Sequence, residues 1–353
     1  MKINQKELTG VKEIARRAKV SIGTVDRVIH NRTGVSIKTK EKIEAIIAEM
    51  DYQPNLLGRR LASNKITRLA TMIPSVSGET SFWEAPLKGI EDAEFEIRQY
   101  NVKIEKYFFD QDDKASFLKQ ANKIVKDKPD GVLLAPSFID ESINFTTKCK
   151  KLNIPYVFID SDIPEQSSLS YIGPDLYSSG YLAANLTNYL IKKNDHILIV
   201  NISREMENHH HLLRKEDGFR GYFKKYNISN PVSKVDIRGV DYNSVKKSLN
   251  LVFRKNPDIK LIFVTNSRVS TVSQYLIDTN RNPLLIGYDF LKENIRYLEE
   301  DVINFLICQK PGEQAYKGLM ALYKHIVLKL PVEGCIYMPI DIIMKSNYLF
   351  YTN

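Results

Sequence analysis

The 353-residue chain has three cysteines, one tryptophan and six histidines. Cys149, Cys308 and Cys335 stand far apart with no metal-ligand spacing and are expected to be buried, reduced thiols. No stretch approaches the roughly 18–20 apolar residues that a bilayer-spanning helix needs, so no membrane partner is expected. The opening MKINQKELTG lacks the apolar core of a secretory signal, and a cytoplasmic chain is the expectation. No G-x-G-x-x-G or phosphate loop follows an apolar run, and no nucleophile is paired with a base. An enzyme is therefore not expected, and neither is a cofactor or a metal. The run His209-His210-His211 cannot turn three adjacent rings toward one ion. It reads as a solvated loop, or as one histidine reaching a ligand.

What is present is concentrated first in Val11–Arg32. Read at a period of 3.6, Ile14, Ala15 and Ala18 share a face of one short helix, and Val25 and Val28 share a face of a second. Lys19-Val20-Ser21 forms the turn between them, and Ala15, Ala18 and Gly23 are small enough for a close helix crossing. Ser21, Thr24, Arg27 and His30 fall on the outer face of the second helix. That pattern fits a helix-turn-helix whose second helix enters the major groove, or an ordinary packed helical hairpin. Charge favours the first reading. Residues 1–65 hold 14 Lys/Arg against 7 Asp/Glu, whereas the remaining 288 hold 37 against 35. A basic excess confined to one end suits counterion release from a phosphate backbone.

A third helix is expected from Ser36, a suitable N-cap, to about Met50, with Ile43, Ile46, Ile47 and Met50 facing the core. Tyr52-Gln53-Pro54-Asn55 then punctuates the chain, followed by the basic LLGRRLASNK. That short segment can form a helix but should be largely unstructured in isolation, since Gly58 weakens it. From Ile66 the texture changes to apolar strands alternating with amphipathic helices. The strands are expected at 69–74, 102–109, 131–136, 155–160, 196–201, 261–265, 284–289 and 303–308. Helices are expected at Glu84–Tyr100, Asp175–Lys193, Lys215–Tyr226 and Gly312–Leu330. Nearly continuous apolar strands mean buried parallel sheets, and about 285 residues suit two α/β lobes. The fold class is thus a three-helix head followed by a two-lobed α/β body. Ligands of such bodies sit beyond the strand C-termini, in the cleft.

Those ends carry polar residues. Asp160, Asn266, Asp289 and Gln309 each end or follow an apolar run, Phe82 and Trp83 come after the first strand, and Arg214 and Lys215 open a helix. Carboxylates and amides pair with neighbouring hydroxyls, and an aromatic face packs on the C–H side of a sugar ring. Each residue alone could equally be a turn-former or cap. Together they suit a carbohydrate.

The chain resembles the lactose-repressor (LacI/GalR) family of bacterial transcription regulators over nearly its full length. The head carries Ala15-x-x-Ala18-x-Val20-Ser21-x-x-Thr24-Val25-x-Arg27-Val28, then Val35-Ser36 and Tyr52-x-Pro54-Asn55. The body, through DGVLLAP (130–136), the IGPD turn (172–175), Gly218-Phe219, Asn266, Asp289 and Gln309, is similar to ribose-binding-protein-like sensor domains of the periplasmic-binding-protein type. The resemblance implies a DNA-binding domain over 1–51, a hinge helix over 52–65 and a ligand-sensing domain over 66–353. Its lobes would be 66–173 with 310–340, and 174–309 with 341–353.

It further implies that the head reads DNA through Ser21, Ile22, Gly23, Thr24, Arg27, His30 and Asn31. Ile22 offers contact to a thymine methyl, Arg27 a bidentate contact to guanine, and Ser21 and Thr24 phosphate contacts. Asp26 stands where the family usually has Ser, and His30 where it has Asn. Asp26 either orients Arg27 or repels phosphate. In the hinge, Asn55, Arg59, Arg60 and Leu61 would meet DNA, with Leu61 wedged into the minor groove. A linker-to-body contact is the alternative for Leu61. In the cleft, Asp160, Asn266, Asp289 and Gln309 would bind hydroxyls against a wall of Phe82 and Trp83, and Lys215 replaces a usual arginine. Ser161 stands where ribose-binding proteins have arginine. The ligand is therefore expected to differ from plain ribose, with a sugar acid or sugar phosphate in view. Arg214 and Lys215 are two ligand contacts, or one contact and one solvated charge. The implied function is a homodimeric, sugar-responsive repressor on a near-palindromic double-stranded operator, nucleoid-associated through that binding. The rivals are a sugar-binding protein without a regulatory role and an α/β enzyme.

Overall fold

The computed structural model describes residues 10–29, 32–52, 66–77, 81–204 and 210–352. The chain divides into two units, Met1–Asn64 and Lys65–Asn353.

In the first unit, α1 (Val11–Ala18), α2 (Ile22–Ile29) and α3 (Ile37–Glu49) enclose a small core of Ile14, Ala15, Ala18, Val25, Val28 and Ile43. Lys19 adopts a left-handed conformation (φ 58°) that ends α1, and the Val20 N–H returns to the Ala15 carbonyl at 3.0 Å. Ser21 then starts α2, its Oγ accepting the Thr24 N–H at 3.1 Å. Ser36 caps α3 in the same way, through the Thr39 N–H. Glu13, bonded by both Arg16 and Arg17, is held down to about 2 by those guanidinium hydrogen bonds. Arg17 also reaches Glu49 at 3.0 Å and so ties α1 to α3. Gly23 departs from expectation. It is exposed, and a Cβ there would meet only Ser21 Oγ within 4 Å, at 3.7 Å. The helix crossing is made by alanines and valines instead.

The second unit runs β1 (Thr67–Pro74), α4 (Glu84–Ile97), β2 (Val102–Phe109), α5 (Lys114–Asp127), β3 (Gly131–Leu134), α6 (Ile139–Lys151), β4 (Tyr156–Ile159) and β5 (Ser170–Gly173). It continues α7 (Leu176–Leu190), β6 (His196–Ile202), α8 (His210–Lys225), β7 (Val232–Ile237), α9 (Tyr242–Lys255), β8 (Ile259–Val264), α10 (Val269–Asp278), β9 (Leu284–Tyr288), α11 (Lys292–Glu299) and β10 (Phe305–Cys308). It closes with α12 (Pro311–Ile326), β11 (Cys335–Tyr337) and β12 (Asp341–Ile343). The strands form two six-stranded sheets, ordered β11-β5-β4-β3-β1-β2 and β12-β10-β9-β8-β6-β7. Every pairing is parallel except β10 with β12. Strands such as β3, β4 and β6 are buried almost throughout because helices cover both faces. Asp113, Asp175 and Asp241 cap the helices that follow them.

Four strands go beyond the sequence reading. β5 occupies part of the expected IGPD turn, β7 is a partly exposed edge, and β11 and β12 have three residues each. The helix expected from Lys215 begins at His210, so His210 and His211 are helical and half-buried rather than part of a solvated loop. The helix expected to reach Tyr100 is α-helical to Ile97 and closes with a 3-10 turn. Cys149 and Cys308 are buried, but Cys335 is exposed, because it lies on the short edge strand β11 outside the apolar layers. Among the described residues no helix is long and apolar enough to cross a membrane.

Candidate functional sites

On the head, α2 buries Val25 and Val28 and turns its other side outward. Ser21, Ile22, Gly23 and Arg27 are exposed and Thr24 is half-exposed, so these five expected contacts share the start and outer side of one helix. The Ser21 and Thr24 hydroxyls lie 2.9 Å apart. The Arg27 guanidinium rests over Gly34 (φ +95°), where a Cβ would stand 2.9 Å from Nη1. Asp26 accepts a hydrogen bond from Arg32 at 3.2 Å. His30, Asn31, Asn55, Arg59, Arg60 and Leu61, with the expected hinge helix, lie outside the described residues.

In the body, the C-terminal ends of the strands converge on one cleft between the two sheets' lobes. It encloses about 750 Å³ of space, part of it open to solvent. Phe82 and Trp83 follow β1, Gln111 and Asp112 follow β2, and Ser137 follows β3. Asp160 directly follows β4. From the other lobe come Ser203 after β6, His211 and Lys215 from α8, Asn266 and Arg268 after β8, Asp289 after β9 and Gln309 after β10. Of the eight expected ligand contacts, seven line this cleft. Arg214 does not. Of the two adjacent cations, Lys215 alone is among the residues that line the cleft.

Lys215 is placed by a close helix contact. A Cβ on Gly180 of α7 would stand 1.8 Å from the Lys215 carbonyl, and one on Gly218 would stand 1.9 Å from the Tyr177 carbonyl. The two glycines thus let α7 and α8 touch backbone to backbone. Phe219 then stacks on Phe263 at 4.8 Å and fixes α8 to the sheet. The Lys215 ammonium, 2% exposed, lies 3.7 Å from the Tyr288 ring centroid and donates to the Thr265 carbonyl at 3.3 Å. Tyr288 is itself held through its hydroxyl to Ser179 at 2.8 Å.

Two carboxyls face this cation. Burial pushes Asp160 up to about 6, against the pull of Lys215. Burial likewise pushes Asp289 up to about 7, again opposed by Lys215, with Asp160 adding to the rise. Burial lowers Lys215, while Asp289 and Asp160 raise it. Asn266 is partly spent on structure, since its Nδ2 donates to the Ile202 carbonyl (2.6 Å) and its Oδ1 accepts the Arg268 N–H (3.3 Å). Phe82 and Trp83 meet edge to face at 5.0 Å, and the indole N–H donates to Gln111 Oε1 at 3.1 Å. Contacts between the lobes include Asp112 to Arg204 at 3.8 Å and the Ser81 hydroxyl to Glu293 at 3.2 Å.

Sequence reasoning missed Gln111, Asp112, Ser137, Ser203 and Arg268. The signal for Gln111 and Asp112 was available, because they stand just past VKIEKYFF as Asn266 stands just past LIFVT. Arg268 is four residues beyond β8 and carries no such mark.

These features define a two-lobed ligand-binding body of parallel sheets, preceded in the chain by a helix-turn-helix. Residues 70–329 match the periplasmic binding protein domain, and residues 10–55 match the bacterial regulatory proteins of the lacI family. The chain belongs to the periplasmic binding protein domain family through residues 70–329, and its residues 10–55 carry the domain of the lacI-family bacterial regulatory proteins. It is 30% identical over 188 residues to the HTH-type transcriptional regulator RegA of Clostridium acetobutylicum, an alignment covering 52% of each chain. The match thus spans about half the length of that curated relative. A solved structure assigned to the LacI transcriptional regulators, from Bacteroides fragilis, is 27% identical with a TM-score of 0.76, covering 82% of this chain and 100% of its own. GanP, a glucose-galactose binding protein from Geobacillus stearothermophilus, shares the fold at 22% identity and a TM-score of 0.72, covering 80% of this chain and 99% of its own.

Proposed function

We propose that the protein is a transcription regulator, a repressor in its basic action, whose DNA affinity responds to a sugar-class ligand in the body's cleft. The observation that carries this reading is the gathering of seven strand ends' polar groups around one aromatic pair. Hydroxyl-rich rings need paired carboxylate and amide partners and an apolar wall, and the cleft offers both. The α2 face, with Arg27 outward and a head that carries most of the chain's basic excess, supports reading of a duplex. A homodimer on a near-palindromic operator follows from the same family logic, because a twofold dimer reads a twofold site. Ligand binding would favour one arrangement of the lobes, and the coupling equals the difference in ligand affinity between arrangements.

The charge balance of the cleft narrows the ligand. Asp112, Asp160 and Asp289 set three carboxyls against Lys215 and Arg268. That leaves no surplus of positive charge for a phosphate or a sugar acid, and favours a neutral, hydroxyl-rich monosaccharide. The test is a melting-temperature screen of the full-length protein against neutral aldoses and ketoses, sugar acids and sugar phosphates. Selection of duplexes from a random pool runs in parallel. Stabilisation by a neutral sugar together with an enriched duplex is the expected result; no enriched duplex, or stabilisation by phosphates alone, opposes it.

A further inference from the structure

Gln314 does not line the cleft, yet it joins the two halves of it. It lies in the first turns of α12, 1% exposed. Its Oε1 accepts the Asp160 N–H at 2.9 Å, and its Nε2 donates to the Gln309 carbonyl at 2.7 Å. Gln309 then donates from its own Nε2 to Asp289 Oδ1 at 3.3 Å. The chain of bonds therefore runs from the aspartate that follows β4 in one lobe to the aspartate that follows β9 in the other. Gln309 also sits where the backbone leaves β10 for α12, one of the segments that pass between lobes.

A further observation points the relay toward a ligand. Gln309 Oε1 is buried, has no hydrogen-bond partner among the described residues and belongs to a residue that lines the cleft. A buried acceptor left unmet is unfavourable until a donor such as a sugar hydroxyl arrives.

We infer that Gln314 is a positioning residue that couples the two cleft aspartates, so that both lobes respond to one bound molecule as a unit. The inference rests on the ligand-binding reading above. The neutral amide makes both bonds at this position, whereas an ionised carboxylate cannot. A carboxylate would still accept the Asp160 N–H but would face the Gln309 carbonyl with a lone pair, and a methionine would fill the volume with neither bond.

The test uses full-length protein and calorimetric titration with D-ribose, D-glucose and D-galactose. Asp160→Asn, Asp289→Asn and the double variant are measured with Gln314 intact, and again in Gln314→Glu and Gln314→Met backgrounds. With Gln314 intact the two losses should be non-additive, the double variant departing from their product by about fivefold or more. In both Gln314 backgrounds the non-additivity should shrink to what the two carboxyls share directly and through Lys215, and Gln314→Glu and Gln314→Met should each weaken sugar binding about tenfold. Losses that multiply with Gln314 intact, or non-additivity of undiminished size in both backgrounds, overturn the coupling. Wild-type protein that binds none of the three sugars overturns the ligand reading itself, a distinguishable result.

Discussion

Asp160 and Asp289 occupy equivalent places in the two lobes: each follows the fourth strand of its sheet in chain order, and each holds a left-handed φ, 67° and 72°. Between them stands the buried ammonium of Lys215, drawing both carboxyls toward ionisation while burial opposes it. The cleft is therefore electrically poised rather than strongly anionic or cationic.

The pH dependence of stability follows from that poise. An unfolded aspartate loses its proton near pH 4, whereas folded Asp289 keeps it up to about 7. The folded state binds more protons across that interval, so this group makes stability fall as pH rises through it. Asp289→Asn does not titrate. Without ligand, its melting temperature should gain on wild type between about pH 5 and about pH 7.5. A difference independent of pH contradicts the account.

On the head, Gly34 leaves room for Arg27. Gly34→Ala both strains a φ of +95° and places a methyl 2.9 Å from Nη1. Arg27→Ala should cost about 1–3 kcal/mol against the preferred duplex while leaving the salt dependence largely intact. Gly34→Ala should cost part of the same selectivity. Competition binding against random duplex at two salt concentrations measures both, and unchanged selectivity in Arg27→Ala removes that residue from base reading.

Asn294 is a buried amide whose Nδ2 donates to the carbonyls of Ser267 (3.0 Å), Tyr288 (3.0 Å) and Asp289 (3.1 Å). It aligns the loops after β8 and β9. Asn294→Leu should lower unfolding free energy by about 2 kcal/mol or more, read by urea denaturation. A change within about 0.5 kcal/mol, the range of an ordinary surface substitution, speaks against this role.

The backbone contact of α7 with α8 predicts the effect of Gly180→Ala. A Cβ 1.8 Å from the Lys215 carbonyl must push α8 outward and carry the ammonium with it. The variant should lose stability by about 1–3 kcal/mol and weaken sugar binding. Sugar affinity equal to wild type in a folded Gly180→Ala protein would show that Lys215 is not positioned this way.

Much of this was legible in the chain. Strands with uniform apolar content, such as HILIVN and GVLL, announce themselves because both faces are covered. The strand β7, VSKVDI, does not, since its exposed edge carries Ser, Lys and Asp. β5 hides behind its Gly173-Pro174 signal, which also reads as a turn. In the cleft, residues directly after apolar runs could be named from the rule that α/β ligands sit at strand ends. Arg214 was misplaced because adjacent residues on a helix point about 100° apart, and sequence alone does not say which one faces inward. Gln314 was invisible, because nothing in a helical glutamine reveals that its partners come from distant loops.

The most direct test of the central claim is the affinity of full-length protein for its selected duplex, by fluorescence anisotropy, with and without the sugar that most raises its melting temperature. The account predicts a change in Kd of about fivefold or more, lost in Asp289→Asn. An identical Kd with and without that sugar, or no duplex preferred over random sequence, would contradict it.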